Sequence, residues 1–145
     1  MPHISRSALV PYADVRMFEL VDDVERYPEF LPWCASAVVH DRQPDELIAE
    51  LEIARAGVRH RFTTRNALHP PGRMTIALEE GPFEHFIGEW RITALGEDAC
   101  KVELEMDFEY SGRLVRTALA PLFNRSADTM VDAFCARARE LFGEG

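Results

Sequence analysis

Hydrophobic and polar residues alternate along most of the middle of this chain. In residues 100–110 every second side chain from Val102 onward is apolar, and the intervening ones are charged. A period of two predicts β-strands with one buried and one wetted face. By this pattern we predict strands at residues 46–55, 58–68, 73–80, 85–95 and 100–110. Gly57 favours a hairpin turn between the first two, so an antiparallel meander is expected.

The N-terminal third shows other patterns. Residues 3–11 alternate loosely and predict a strand. Residues 13–22 place apolar side chains at helical spacing, which predicts a short helix. A turn or second short helix is expected at residues 24–27, because Pro28 and Pro32 break any longer one.

The last segment, residues 112–142, predicts one long helix with Ser111 as its N-cap and Gly143 at its end. Pro121 has no amide hydrogen to donate, so a kink or break is expected at residues 118–121. The helix is expected to cover the sheet with an apolar stripe of Leu114, Ala118, Leu122, Met130, Phe134, Ala138 and Leu141.

This order of elements predicts an α+β fold of the helix-grip type, a curved antiparallel sheet wrapped around a long C-terminal helix. No repeat or low-complexity linker interrupts the pattern, so residues 1–145 are expected to form a single domain. A sheet that grips one helix leaves a cavity unless large side chains fill it.

Composition narrows the choice of partners and compartment. The formal net charge of −9 argues against DNA binding, because attraction to phosphate needs the opposite sign. No apolar run is long enough for a transmembrane helix. The cysteines Cys34, Cys100 and Cys135 have no CxxC spacing, so free thiols and a cytoplasmic location are expected.

Side chains on the inner face define a candidate cavity wall. Gly88 in the middle of that face leaves volume, and the polar residues His60, Thr64 and Asn66 also point inward by parity. Those polar groups either pair with one another or bind a ligand; an ordinary packed core is the alternative to a cavity. The apolar candidates are Leu51, Ile53, Phe62, Ile76, Leu78, Phe86, Trp90, Met106, Phe108, Val115, Leu119, Met130 and Phe134.

Residues 27–33 form a short, apolar, proline-rich segment that contains Tyr27, Phe30 and Trp33. Two interpretations are open. The segment packs locally under the end of a helix, or it forms a lid at the cavity mouth whose aromatic side chains touch a membrane surface.

The opposite face of the sheet carries a basic stripe, Arg59, Arg61 and Arg65, in a stretch without acidic residues. Cross-strand pairing with Glu50 and Glu52 is one interpretation. An RNA-facing surface is the other.

Catalytic motifs are missing from the sequence. Of five histidines, only His60 falls on an inner face, and no nucleophile elbow, phosphate loop or zinc spacing is present. The acidic residues of the last strand lie at strand spacing, which indicates a solvated face rather than a metal site. We therefore predict neither catalytic nor metal-binding residues, and no enzyme activity.

Several motifs occur in an order that matches a known family. They are DDVERYPEFLPWC at residues 22–34, FTTRN at 62–66, GPF at 81–83 with GEW at 88–90, and AFCARA at 133–138. Together they resemble the coenzyme Q-binding START-domain family of the polyketide cyclase/dehydrase superfamily. The opening ISRSALVPY, residues 4–12, is especially similar to the bacterial ribosome-association toxin branch.

The resemblance implies a START/Bet v1-like fold with a hydrophobic cavity. It implies non-enzymatic binding of ubiquinone or a related prenylquinone in support of respiration, as a ligand rather than a catalytic cofactor, with peripheral contact at the inner membrane. For the toxin branch it implies binding to the large ribosomal subunit and blocking of subunit association. A polyketide-cyclase-like enzyme is a more distant alternative.

Overall fold

The computed structural model describes residues 3–55 and 57–143; the remaining residues of the expected domain, 1, 2, 56, 144 and 145, lie outside the description. The described chain contains seven strands, three α-helices and one 3-10 helix. The strands are β1 (His3–Val10), β2 (Cys34–Gln43), β3 (Glu46–Arg55), β4 (Val58–His69), β5 (Arg73–Glu80), β6 (Phe83–Gly96) and β7 (Ala99–Tyr110). The helices are α1 (Asp14–Asp22), the 3-10 helix (Val24–Glu29), α2 (Arg113–Asp128) and α3 (Met130–Phe142).

All seven strands form one curved antiparallel sheet in the order β1-β7-β6-β5-β4-β3-β2. The predicted meander is confirmed from β3 to β7, and β1 returns to pair with β7. In β7 the inward side chains from Val102 to Tyr110 are all buried, as their alternation predicted. The predicted α+β helix-grip class is therefore correct.

Strand β2 is absent from the sequence-based prediction. It is an edge strand that pairs only with β3, and its register shifts between Cys34 and Ser36 and again between Val39 and Asp41. Each shift lets consecutive side chains keep the same side, so no run of strict alternation survives.

The C-terminal helix is divided at Thr129 instead of at Pro121, so the predicted break at residues 118–121 is wrong. The Thr129 hydroxyl donates to the carbonyls of Arg125 and Ser126, at 3.0 and 3.4 Å. Side-chain bonds of this kind to the preceding turn often bend helices, while the Thr129 amide still donates to the Arg125 carbonyl at 3.1 Å. Pro121 is accommodated inside α2.

The ends of the C-terminal helical segment agree with the prediction at Gly143 but not at Ser111. Ser111 is not the N-cap; Gly112 holds that position with a φ of 119°, and the Ser111 amide donates to the Pro82 carbonyl. Gly143 ends α3 as predicted, with a φ of 85°.

The buried face of α2 differs from the predicted stripe. Leu114 is 87% exposed, and Ala118 and Leu141 are also exposed. The side chains that pack inward from the two helices are Leu119, Phe123, Ala127, Val131, Phe134 and Ala138. On α2 the true stripe lies one position further along the chain, because burial of the large Phe123 ring sets the rotation of the helix. Within the described residues, no helix is long and apolar enough to cross a membrane.

Candidate ligand-binding cavity

A cavity of about 60 Å³ lies between the inner face of the sheet and the helices. A space of this size holds only a few water molecules. The interior is therefore closely packed around a small gap. Its lining consists of Val24, Tyr27, Trp33, Ala49, Leu51, Phe62, Thr64, Asn66, Ile76, Phe86, Trp90, Leu104, Met106, Phe123 and Met130.

The strand register places the wall residues side by side. Leu51 of β3 pairs with Phe62 of β4, and Trp90 of β6 pairs with Leu104 of β7. Directly opposed residues have Cβ atoms about 5 Å apart, so their side chains touch across the strands. The inner face is thus one continuous apolar wall.

Phe123 of α2 closes one side of the cavity. Its ring centre lies between 5.0 and 6.4 Å from five other aromatic rings of the sheet. Two of these, Phe62 and Phe86, also line the cavity. Edge-to-face contacts of this kind stabilise the packing of α2 against the sheet.

The 3-10 helix closes another side through Val24 and Tyr27. The Tyr27 hydroxyl donates to the Val21 carbonyl, and its ring lies 5.3 Å from that of Phe134. Burial raises the pKa of Tyr27 far above its ordinary value, so the hydroxyl remains protonated. The side chains of this wall that line the cavity are therefore uncharged.

Thr64 and Asn66 place polar atoms in an otherwise apolar wall. Both are 5% exposed and both lie on β4. The Asn66 amide nitrogen donates to the Met74 sulfur at 3.8 Å, whereas its carbonyl oxygen has no partner within the described residues. The cavity is therefore a mainly apolar space with a localised polar group.

Most of the predicted ligand-binding residues come together here. The cavity lining contains eleven of them: Tyr27, Trp33, Leu51, Phe62, Thr64, Asn66, Ile76, Phe86, Trp90, Met106 and Met130. Tyr27 and Trp33 are buried, at 7% and 5% exposure, so the local-packing interpretation describes these two side chains. The Tyr27 ring packs edge-to-face against those of Phe30 and Phe134.

Three predicted aromatic residues, Phe30, Phe108 and Phe134, pack outside the cavity lining. Phe134 is fully buried, with its ring 4.9 Å from Trp90 and 5.0 Å from Phe30. Phe108 is fully buried against Phe123. These rings support the lining residues and do not contact the cavity.

Gly88 and His60 also lie outside the lining. Gly88 is flanked by Ile76 and Met106, and a Cβ atom built on it would meet the Met106 Cγ at 3.5 Å. The neighbouring side chains therefore already fill the volume that Gly88 was expected to leave. His60 is half-buried near one end of β4.

Sequence reasoning missed four lining residues, Val24, Ala49, Leu104 and Phe123. Ala49 and Leu104 share the parity of Leu51 and Met106, so alternation contained the signal. Phe123 required the rotation of α2, which only the packed structure fixes.

Candidate catalytic groups do not converge on the cavity. His3 and His40 lie at the surface beside Asp107 and Glu50. Burial raises the pKa of Cys34 to about 12 and that of Cys100 to about 11, which disfavours a nucleophilic thiolate. Residues 3–55 and 57–143 contain no group of three or more histidine, cysteine or acidic side chains placed to hold a metal.

The basic stripe on the outer face is paired with carboxylates. Arg59 lies 2.8 Å from Glu52, and Arg61 lies 3.4 Å from Glu52 and 3.6 Å from Glu50. Hydrogen bonds from Arg59 lower the pKa of Glu52. Arg65 pairs with two further carboxylates, Glu46 and Glu79. The cross-strand interpretation therefore describes this surface.

Comparison with known proteins relates the whole chain to named relatives. It is 50% identical over 141 residues to the ribosome association toxin RatA of Pseudomonas aeruginosa, covering 97% of this chain and 98% of that protein. It is 24% identical to the mitochondrial coenzyme Q-binding protein COQ10 of Drosophila melanogaster, covering 96% of this chain and 59% of that protein. The names of these two relatives describe a toxin and a binding protein.

The fold also matches a solved enzyme. The ZhuI aromatase/cyclase of Streptomyces sp. R1128 superposes with a TM-score of 0.84 at 20% identity, covering 99% of this chain and 98% of that one. Identity this low shows the shared fold alone. Residues 10–135 match the family described as polyketide cyclase / dehydrase and lipid transport. The chain belongs to that family and has its START-like fold.

Proposed function

We propose that this protein binds an apolar small molecule between its sheet and its helices, without catalysing a reaction. The observation that carries the proposal is the cavity wall, which is apolar apart from a few polar side chains on one side. Such a wall is the usual composition of a lipid site, where polar groups only orient the ligand.

A prenylated quinone is the ligand class that we propose. The name of the Drosophila relative, coenzyme Q-binding protein, supports this choice. Each Å² of apolar tail removed from water contributes about 25 cal/mol, which offsets the cost of ordering the ligand. The ring would lie against Thr64 and Asn66, and the tail along the aromatic wall.

Binding requires the cavity to open. Its volume of about 60 Å³ is smaller than the roughly 300 Å³ of a small ligand pocket. Phe123 closes the space from α2, which also carries the largely exposed Leu114 at its N-terminal turn. An outward movement of α2 would lengthen the cavity without breaking the sheet.

Fluorescence titration with a short-chain ubiquinone tests this proposal. Both tryptophans of the chain, Trp33 and Trp90, line the cavity, so a ligand there quenches them directly. We expect saturable quenching in the wild type and weaker binding in Ala49→Leu, which fills the cavity. Ala77→Leu on the exposed face is the matched control. Equal binding by both variants would place the ligand elsewhere, and no binding by the wild type would refute the proposal.

Organic extraction of the purified protein, followed by mass spectrometry, identifies the natural ligand. We expect a prenylquinone in the extract of the wild type and less of it from Ala49→Leu. A phospholipid or fatty acid in its place would keep the binding function and change the ligand class.

A second candidate function is association with the large ribosomal subunit, as named for the Pseudomonas relative. Full-length 50% identity favours it. The basic stripe at Arg59 and Arg61 is held by carboxylates, whereas Arg113 and Arg116 are exposed on α2 without an ion pair among the described residues. These α2 arginines are the better candidates for phosphate contacts.

Cosedimentation with purified large subunits tests the second candidate. We expect binding that weakens steeply with salt, because each neutralised phosphate releases counterions. Arg113→Gln with Arg116→Gln should reduce it more than Arg59→Gln with Arg61→Gln. Failure of the wild type to cosediment at low salt would refute ribosome association and leave ligand binding unaffected.

A further inference from the structure

The carbonyl oxygen of Asn66 is a buried hydrogen-bond acceptor without a partner among the described residues. The residue is 5% exposed and lines the cavity. A buried acceptor left unpaired destabilises a folded protein, so native structures rarely contain one without a ligand or water to satisfy it.

Met74 determines which way this amide points. The Asn66 amide nitrogen donates to the Met74 sulfur at 3.8 Å, and Met74 is fully buried outside the cavity lining. Turning the amide over would set its oxygen against the sulfur lone pairs, two acceptors facing each other. The oxygen is therefore the amide atom that remains for a molecule in the cavity.

No wall hydroxyl among the described residues donates to the Asn66 carbonyl oxygen. The Tyr27 hydroxyl already donates to the Val21 carbonyl. A ligand with only carbonyl oxygens brings acceptors and leaves Asn66 unpaired. A ligand hydroxyl donates to Asn66 and still accepts a hydrogen bond from a hydroxyl such as that of Thr64.

We infer that the cavity selects an apolar ligand with a hydrogen-bond donor on its ring, a phenolic hydroxyl as in a hydroquinone. This inference rests on the proposed ligand-binding function and specifies the ligand further. Within the quinone class, the reduced form would bind more tightly than the oxidised form, because only the reduced form carries the donor.

Calorimetric titration with para-hexylphenol and its methyl ether, para-hexylanisole, tests the inference. The two probes share ring and tail, but only the phenol donates. The ether is the more hydrophobic, so an apolar site without a specific acceptor would favour it. We expect the phenol to bind about tenfold more tightly to the wild type, the effect of one hydrogen bond to a buried acceptor. Asn66→Leu, which is close in shape and apolar, should abolish this preference and retain binding of the ether.

The outcomes separate the two proposals. Equal binding of phenol and ether to the wild type would overturn the inference, because water would then satisfy Asn66, and ligand binding would stand. A preference that persists in Asn66→Leu would also overturn it. Binding of neither probe would overturn both proposals.

Discussion

The guanidinium carbon of Arg137 lies 5.3 Å from the centre of the Phe30 ring. Arg137 belongs to α3, and Phe30 follows the 3-10 helix that closes the cavity. The same guanidinium also pairs with Glu29. One side chain therefore connects α3 to residues 24–33, the closing segment at the cavity.

Loss of Arg137 should loosen the closing segment. Arg137→Leu removes the cation–π contact and the ion pair, so amide hydrogen exchange in residues 24–33 should quicken, and unfolding should cost about 1 kcal/mol less. Mass spectrometry of exchanged peptides measures the first effect. Arg139→Leu, exposed on the same helix, is the control. Exchange that changes equally in both variants would contradict a specific role for Arg137.

Tyr27→Phe should destabilise the protein more than Tyr12→Phe. The Tyr27 hydroxyl is bonded to the Val21 carbonyl in a buried position, so its removal leaves an acceptor unpaired and costs about 1–3 kcal/mol. The Tyr12 hydroxyl bonds to the carbonyl of exposed Gly143, where water replaces it. Urea unfolding of both variants gives the comparison. Equal losses of unfolding free energy in the two variants would contradict a larger contribution from the buried hydrogen bond.

Glu52 should contribute a pH-dependent part of the stability. Hydrogen bonds from Arg59 lower its pKa below the ordinary value of 4.5 in the folded state. The unfolded chain therefore binds a proton first as the pH falls, so this stabilisation is present above 4.5 and disappears as the pH drops through the folded-state pKa.

Urea midpoints of Glu52→Gln and the wild type should therefore differ at about pH 7, and the difference should shrink as the pH falls below 4.5. Glu84→Gln, at an exposed position, is the control and should show little difference at either pH. A difference between Glu52→Gln and wild type that stays constant with pH would contradict the assignment to its charge.

Alanine should be tolerated at Gly88 but not at Gly81. A Cβ atom at Gly88 meets its nearest atoms at 3.5 Å or more, and alanine in a strand is favoured over glycine by roughly 0.5 kcal/mol. A Cβ atom at Gly81 would lie 2.6 Å from the Phe62 Cβ. Thermal unfolding should show an unchanged or raised midpoint for Gly88→Ala and a lowered one for Gly81→Ala. The reverse order would contradict the packing described around Phe62.

Alternation predicted the sheet because each inward side chain of a strand such as β7 has its own polar neighbour outside. Alternation did not predict strand β2, because its two register shifts break the period of two. The rotation of α2 about its axis was also predicted wrongly. It depends on the contact of Phe123 with five aromatic rings of the sheet, which the sequence pattern does not contain.

Parity likewise predicted which side chains face inward, including Thr64 and Asn66. It did not predict that Asn66 would retain an unpaired oxygen, because this depends on the distance to Met74, which lies eight residues away along the chain on the next strand. The alternation of side chains along the strands therefore locates a candidate site. Which of its polar atoms lack a hydrogen-bond partner follows only from the three-dimensional contacts.

The irregular register of β2 affects how copies of the protein meet one another. This strand is one of two open edges of the sheet, and an open edge with a regular row of amides recruits a strand from another molecule. The shifts at Cys34/Ser36 and Val39/Asp41 break that row in two places. The bulges therefore disfavour pairing of this edge with a strand from another copy of the protein.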